Sequence, residues 1–249
     1  MKLSLHQVTV AYPVNISARQ QSIFATAAKA MSFGSFAKSG SNQTYVLALN
    51  QVTIDVKEGA RIGLIGRNGS GKSTLLRTMA GIITPRSGKR FINGSVGCVL
   101  NLGSGLEADK SGIENMKMIA RFYGMEGAEL KNAVEDAANF SELGPYLDFP
   151  VRTYSSGMTA RLCFGIATAR HADIMLIDEV IGTGDAHFVA KAVARIKDIC
   201  AKSGTVIIAS HAESVLHDFC TQGVWMDSGT IKKMDELDTV LHAYNAAAG

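Results

Sequence analysis

The chain has 249 residues, enough for one large domain or two small ones. Hydrophobic residues make up 47% of the sequence, which predicts a buried core and excludes a disordered chain. The formal net charge of +3, from 25 basic and 22 acidic residues, does not indicate a nucleic-acid-binding protein. The four cysteines have no C-x-x-C spacing, so neither a zinc site nor a disulfide framework is indicated.

The N-terminus lacks the apolar stretch and cleavage site of a signal peptide. No run approaches the roughly 18 apolar residues that a membrane-spanning helix needs. We therefore expect a cytoplasmic protein. If it acts at a membrane, another component would carry it there.

Two strands are predicted near the N-terminus, over residues 3–12 and 46–56, where apolar and polar residues alternate. Residues 13–45 between them form an insertion rich in Ser, Ala, Gln and Asn. Apolar side chains at helical spacing from Ile23 to Met31 predict a short amphipathic helix within it.

A short apolar strand, 61–65, is predicted next, followed by a glycine-rich loop and a helix that starts near Lys72. Residues 96–100 predict another strand. Residues 101–168 then predict helices, the first opened by the capping box Ser111-x-x-Glu114. We interpret 101–168 as an inserted helical subdomain.

The last third of the chain alternates strands and helices. The predicted elements are a strand at 174–178, a helix at 189–200, a strand at 205–210, a hairpin at 223–234 that turns at Ser228-Gly229, and a final helix opened by Asp235 and Asp238 and ending near Tyr244. This alternation predicts an α/β core with a mostly parallel sheet.

The glycine-rich loop fits the pattern G-x-x-x-x-G-K-[ST] and lies between a predicted strand and helix. Its residues are Gly66, Arg67, Asn68, Gly69, Ser70, Gly71, Lys72 and Ser73, and Thr74 continues the helix. Glycines allow the backbone to wrap around phosphate oxygens, and the helix start favours negative charge. We expect Lys72 to reach the β- and γ-phosphates of ATP and Ser73 to bind Mg²⁺.

An acidic pair follows the apolar strand 174–177. A carboxylate at the end of a neighbouring strand helps to hold the metal in phosphate-loop enzymes. Asp178 is therefore expected near Mg²⁺, and Glu179 is expected to orient or deprotonate the attacking water.

Small residues, Ser155, Ser156 and Gly157, precede the helix at 156–168 and predict a second anion-binding helix end. With its flanking Tyr154 and Met158, this run resembles the signature motif of the ATP-binding cassette (ABC) family, usually Leu-Ser-Gly-Gly-Gln. Ser155 and Gly157 match that motif, and the other three positions depart from it.

The resemblance implies further site residues. Asp185 occupies the place of the family's D-loop aspartate, and His211 the place of the switch histidine near the γ-phosphate. Tyr12 falls near the aromatic residue that stacks on adenine, a role for which Tyr45 competes. Asn101 stands near the place of a glutamine that contacts the metal-bound water.

The resemblance also implies the fold and the assembly. The fold would be a single ABC ATPase domain over residues 1–249, with a phosphate-loop core, an N-terminal antiparallel β portion and the helical subdomain. Two chains would sandwich two ATP molecules as a homodimer, with Lys72 of one chain and Ser155, Ser156, Gly157 and Asp185 of the other around one nucleotide. Hydrolysis at Glu179, assisted by Lys72 and His211, would open the pair.

The chain resembles the polysaccharide-exporter branch of this family in three features: the motif Tyr-Ser-Ser-Gly-Met, the motif Asp-Glu-Val-Ile-Gly-Thr-Gly-Asp, and the long insertion. Members of that branch handle O-antigen, capsule and teichoic-acid chains carried on lipid. This implies a peripheral location on the inner face of the cell membrane and an integral membrane permease as partner. We expect no C-terminal glycan-binding domain, so that the permease mainly selects the lipid-linked polysaccharide.

Three alternatives remain open at this point. The chain is the ATPase of another kind of ABC transporter, a soluble ABC ATPase acting on nucleic acid or ribosomes, or a regulator that senses ATP without hydrolysing it. No basic run tracks nucleic-acid phosphates, and neither a second cassette nor a long coiled-coil insertion occurs.

Overall fold

The computed structural model describes residues 1–14, 36–38, 44–100, 105–170, 172–178 and 186–248. The chain divides into two compact units, Met1–Ser95 with Gly204–Gly249, and Val96–Ser203. The helix predicted within residues 13–45 lies outside the described residues. In the described part of the chain, every helix is too short or too polar to cross a membrane.

Strands and helices make up most of the described chain. The strands are β1 (Leu3–Val14), β2 (Phe36–Lys38), β3 (Thr44–Val56), β4 (Arg61–Ile65), β5 (Ser87–Ile92), β6 (Val96–Val99), β7 (Ile174–Asp178), β8 (Thr205–Ala209), β9 (Gln222–Asp227) and β10 (Thr230–Glu236). The α-helices are α1 (Lys72–Ala80), α2 (Gly112–Phe122), α3 (Gly127–Ser141), α4 (Ser156–Ala167), α5 (Ala186–Lys202), α6 (Glu213–Phe219) and α7 (Leu237–Ala248). Short 3₁₀ helices span Gly144–Asp148 and Val151–Thr153.

An antiparallel sheet forms the N-terminal part of the first unit, in the order β2-β3-β1-β5. The β1–β3 register shifts near Gln7 and Gln51, which both have positive φ angles. Threonines of the opposite strand satisfy the two backbone amides, because Thr53 Oγ1 accepts from Gln7 N and Thr9 Oγ1 accepts from Gln51 N. The antiparallel β portion implied by the sequence is therefore confirmed.

A mostly parallel sheet completes the first unit, in the order β10-β9-β4-β8. Strand β4 is parallel to both β8 and β9, and β9 and β10 form the predicted hairpin. Helix α1 packs on β8 from this sheet and on β1 and β3 from the other. The loop that leads to α1 therefore begins at the carboxyl end of β4, a strand that has a neighbouring strand on each side. Ligands bind at this end of the strands in α/β sheets.

The second unit contains the parallel pair β6 and β7 and the helices α2 to α5. Its helical core is a cluster of buried side chains: Met116, Ala120, Met125, Ala133, Val134, Ala137, Leu143, Leu147, Val151, Leu162, Cys163 and Ile166. Three phenylalanine rings, Phe140, Phe164 and Phe188, pack against one another and join α3, α4 and α5, with Phe140 and Phe164 stacked and Phe188 edge-on to both. The helices predicted between residues 111 and 168 are confirmed.

The structure differs from the sequence prediction at several elements. The sequence analysis predicts neither strands β2 and β5 nor helix α6. Asp235 lies in β10 and does not open the last helix, which continues beyond Tyr244 to Ala248. The hairpin holds Asp235 opposite Gly223 in an antiparallel ladder, and that pairing overrides the preference of aspartate for helix starts.

A buried asparagine, Asn115 on α2, organises the segment that leads into this helix. Its side-chain amide donates to the carbonyls of Glu107, Lys110 and Ser111 at 3.0–3.2 Å, and its Oδ1 accepts from Glu107 N at 2.8 Å. The side chain is fully buried, so water does not replace these bonds when they are lost.

We predict that Asn115→Ala lowers the free energy of unfolding by about 2–4 kcal/mol, because it leaves several buried backbone groups without a partner. Urea unfolding followed by circular dichroism measures the change. Asn139→Ala, at an exposed position of α3, is the control and should change stability by less than about 0.5 kcal/mol. Equal losses for the two variants would contradict this role of Asn115.

Candidate functional site

The phosphate loop (residues 66–73) has a backbone conformation that depends on glycine. A Cβ on Gly66, at φ +153°, would lie 2.3 Å from the carbonyl oxygen of Met226. A Cβ on Gly71, at φ +105°, would lie 2.6 Å from the carbonyl oxygen of Ala48. Gly71 is also the N-cap of α1, and no described side chain caps this helix start. The first amides of α1 are thus left to an anion.

Lys72 and Ser70 place polar groups in the same loop. The Lys72 side chain is largely buried, and its Nζ donates to the carbonyl oxygens of Gly66 at 2.6 Å and Arg67 at 3.2 Å. The Ser70 hydroxyl is buried and has no hydrogen-bond partner among the described residues. A phosphate oxygen would satisfy this hydroxyl, so the loop fits a phosphate group.

The β9–β10 turn anchors the loop through backbone hydrogen bonds. Gly229 N donates to the carbonyl of Ser70, and Asn50 N donates to the carbonyl of Gly229, both at 2.9 Å. A Cβ on Gly229 would lie 2.8 Å from the carbonyl of Ala48. The sequence predicts a turn at Gly229, but no local pattern indicates that this turn supports the phosphate loop.

His211, just beyond β8, reaches the phosphate loop. Its Nε2 lies 2.9 Å from Oδ1 of Asn68. The structure therefore brings together the predicted switch histidine and the predicted phosphate-binding residues, although they are separated by 143 positions in the sequence.

The two candidate tyrosines for adenine stacking lie on opposite faces of the antiparallel sheet. Tyr12 on β1 is directly opposite Val46, whereas Tyr45 is opposite Pro13, and successive pairs face opposite sides. The guanidinium of Arg86 lies over the Tyr45 ring, 4.5 Å from its centre. The Tyr12 residue is 40% exposed. Only one of the two rings can therefore face a given nucleotide.

In the second unit, Asp178 is half-buried at the carboxyl end of β7, after four buried apolar residues. Cys98 on the paired strand β6 is not a candidate nucleophile, because burial raises the pKa of its thiol to about 12. Hydroxyl and carboxylate oxygens such as those of Ser73 and Asp178 are ligands that Mg²⁺ prefers. Among the described residues, no cluster of three or more His, Cys, Asp or Glu side chains forms a metal site by itself.

The run at the start of α4 exposes Ser155 and Ser156. Ser155 is the N-cap, and its Oγ accepts from Met158 N at 3.2 Å. Tyr154 donates to the carbonyl oxygen of Tyr146 at 2.6 Å, and burial raises the pKa of its phenol, so the hydroxyl stays a donor. The helix start predicted from the sequence is therefore present. Three other predicted site residues, Asn101, Glu179 and Asp185, lie outside the described residues.

Comparisons with known proteins connect this geometry to a family. The sequence profile of the family described as "ABC transporter" matches residues 49–182. The O-antigen export system ATP-binding protein RfbE of Yersinia enterocolitica is 40% identical over 237 residues, which cover 94% of this chain and 99% of that protein. The RfbB protein of the O-antigen export system of Myxococcus xanthus is 39% identical over 202 residues, 81% of this chain.

Some relatives are longer than this chain. The alignment spans 46% of the M. xanthus protein and 43% of the teichoic acids export ATP-binding protein TagH of Lactococcus lactis, which is 34% identical. Among solved structures, a dimeric post-hydrolysis state of the ATP-binding cassette MJ0796 with ADP and Pi has a TM-score of 0.70 at 20% identity, covering 94% of this chain and 98% of that one. This likeness establishes the fold.

We predict that Gly66→Ala deforms the phosphate loop, because the new methyl group overlaps the Met226 carbonyl. The expected loss of unfolding free energy is about 1–3 kcal/mol, measured by urea unfolding. Gly157→Ala is the control, since its Cβ would come no closer than 3.9 Å to Ser155 Oγ. It should leave stability within about 0.5 kcal/mol or raise it slightly, as alanine favours helices. Unchanged stability of Gly66→Ala would contradict the close packing of this loop.

Proposed function

This chain belongs to the ABC transporter family, and we propose that it is the ATP-hydrolysing subunit of a polysaccharide exporter. The observation that carries the ATPase part is the uncapped start of α1, wrapped by glycines and with Lys72 beside it. Backbone amides, an ammonium group and a buried hydroxyl there match the charge and acceptor oxygens of a triphosphate. The names of the relatives support the exporter part.

Adenine stacks on Tyr12 in this proposal. The Tyr12 ring lies on the face of the sheet opposite to the face that carries Tyr45. The guanidinium of Arg86 already lies over the Tyr45 ring. Stacking an aromatic ring on a nucleobase requires an accessible ring face. The 40% exposure of Tyr12 supports this assignment.

The residues proposed to hold Mg²⁺ are Ser73 and Asp178, and Asn101 would contribute through a water of the metal. When bound, the metal neutralises charge on the β- and γ-phosphates. Glu179 orients and deprotonates the attacking water, Lys72 balances the charge of the transferred phosphate, and His211 donates a hydrogen bond at the γ-phosphate. Asp178 at the end of a buried strand supports this arrangement, since Glu179 follows it directly in the sequence.

Two chains form the active unit. The exposed start of α4 supports this proposal, because the helix end capped by Ser155 is accessible to the nucleotide of a partner chain. Ser155, Ser156 and Gly157 of one chain, with Asp185, then complete the site around the phosphate loop of the other. Closure depends on ATP bridging the two surfaces, so the pair opens once the γ-phosphate is released.

An integral membrane permease is the proposed partner, and it carries this chain to the inner face of the membrane. The helical part of the second unit offers a surface for it near residues 105–113. Tyr146 and Phe149 are each more than half exposed and pack against each other there, next to Arg152, whose guanidinium pairs with Asp109. Exposed aromatic rings beside a polar rim are typical of protein interfaces. A lipid-linked polysaccharide is the proposed cargo, selected mainly by the permease.

The experiment compares wild type with Glu179→Gln. Removing the base should lower the rate of ATP hydrolysis by about 10²–10⁴-fold. The variant should also elute as a dimer in size-exclusion chromatography with ATP and Mg²⁺, because unhydrolysed ATP continues to bridge the two chains.

An unchanged hydrolysis rate in Glu179→Gln would reject Glu179 as the base. A monomeric variant at saturating ATP would reject the sandwich dimer. Pull-down of the wild type from membranes should recover a permease, and the transport part of the proposal fails if none is found.

A further inference from the structure

Asn68 is a loop residue whose side chain points at His211. Both belong to the first unit, and Nε2 of His211 lies 2.9 Å from Oδ1 of Asn68. The histidine is exposed, so burial does not hold its ring. The hydrogen bond from the loop is one of the contacts that orient the ring, and it is the contact that directs Nε2 toward residue 68.

The contact joins Nε2 to the amide oxygen, and the histidine tautomer that makes it a hydrogen bond follows from that pairing. An amide oxygen only accepts hydrogen bonds, so the contact requires a proton on Nε2. The imidazole thus presents an N–H to the phosphate loop, the side on which an anion would be held.

We infer that Asn68 is a positioning residue, which keeps the Nε2 proton of His211 directed at the phosphate loop until an anionic oxygen there accepts it. The inference rests on the proposed function in that this oxygen is the γ-phosphate of ATP. The amide is suited to this task because it is neutral. A hydrogen bond to an anion is roughly twice as strong as one to a neutral acceptor. The phosphate oxygen therefore readily replaces the Asn68 amide as the acceptor of the Nε2–H hydrogen bond.

The shape of the loop is maintained by other groups. Ser70 N donates to the carbonyl of Arg67, Lys72 Nζ donates to two loop carbonyls, and Gly229 N donates to the carbonyl of Ser70. These bonds use backbone atoms and Lys72, and the Asn68 side chain takes part in none of them. Asn68→Ala should therefore remove the contact with His211 and leave the loop in place.

The first test is nuclear magnetic resonance of protein labelled on its histidine rings, at alkaline pH where imidazoles are neutral. His211→Gln identifies the His211 signals among the six histidines. In wild type we expect the proton on Nε2 and an ordered ring, and in Asn68→Ala a ring that is less ordered than in wild type on the picosecond-to-nanosecond timescale. Arg67→Ala, which truncates the neighbouring side chain, should leave the ring ordered. A proton on Nδ1 in wild type, or a ring equally ordered in Asn68→Ala, would overturn the inference.

The second test is kinetic. Asn68→Ala should lower kcat for ATP hydrolysis about 3–10-fold, the usual effect of one lost hydrogen bond, with KM changed less than about twofold. In a His211→Ala background the same substitution should change kcat less than about twofold, because Asn68 acts through the histidine. Independent, multiplying losses would overturn the inference. If wild type does not hydrolyse ATP, the proposed function fails while the ring measurement still decides the role of Asn68.

Discussion

Backbone hydrogen bonds hold the phosphate loop, and the other parts of the candidate site depend on them. The loop joins β4 to α1, and the β9–β10 turn and strand β3 close around it through Gly229 and Asn50. Carbonyl groups of Met226 and Ala48 approach so closely that Gly66 and Gly71 tolerate no side chain. Bare amides at a helix start are strong anion donors, and this packing aims them before any ligand arrives.

The second unit is held together mainly by the packing of side chains. Its helices share an apolar cluster, and the three packed phenylalanine rings join α3, α4 and α5. Lys191 and Arg195 of α5 each place a cation over the Phe140 ring, so charged side chains cover this ring. The signature run begins one of these helices. The direction in which α4 presents Ser155 therefore depends on the side-chain packing inside the second unit.

Much of this structure is predictable from the sequence because the strongest signals are local. Alternation identified β1 and β3, the G-x-x-x-x-G-K-[ST] pattern located the loop, and the Ser111–Glu114 capping box gave the start of α2, where both of its hydrogen bonds are present. The sequence does not predict strand β5, because five of its six residues are exposed. The strand therefore lacks the alternation of buried and exposed residues that indicates a strand. Helix α6 has seven residues, too few to show a helical period.

The sequence does not predict contacts between segments that are distant along the chain. No pattern links Asn68 to His211, or Gly229 to Ser70, since each pair is brought together only by the sheet order β10-β9-β4-β8. The choice between Tyr12 and Tyr45 likewise depends on strand register, which decides the face of the sheet on which each ring lies. The family resemblance implies roles for His211 and Tyr12, whereas the structure shows which residues lie beside them.

Calorimetric titration with ATP tests most directly whether the phosphate loop is a nucleotide site. Wild type is compared with Lys72→Ala and with Lys89→Ala, which removes an exposed lysine of the same unit. Losing charge-assisted hydrogen bonds of about 1.5–3 kcal/mol should weaken ATP binding roughly 10–100-fold in Lys72→Ala. Lys89→Ala should bind ATP as wild type does. Equal affinities of wild type and a folded Lys72→Ala protein would contradict the account.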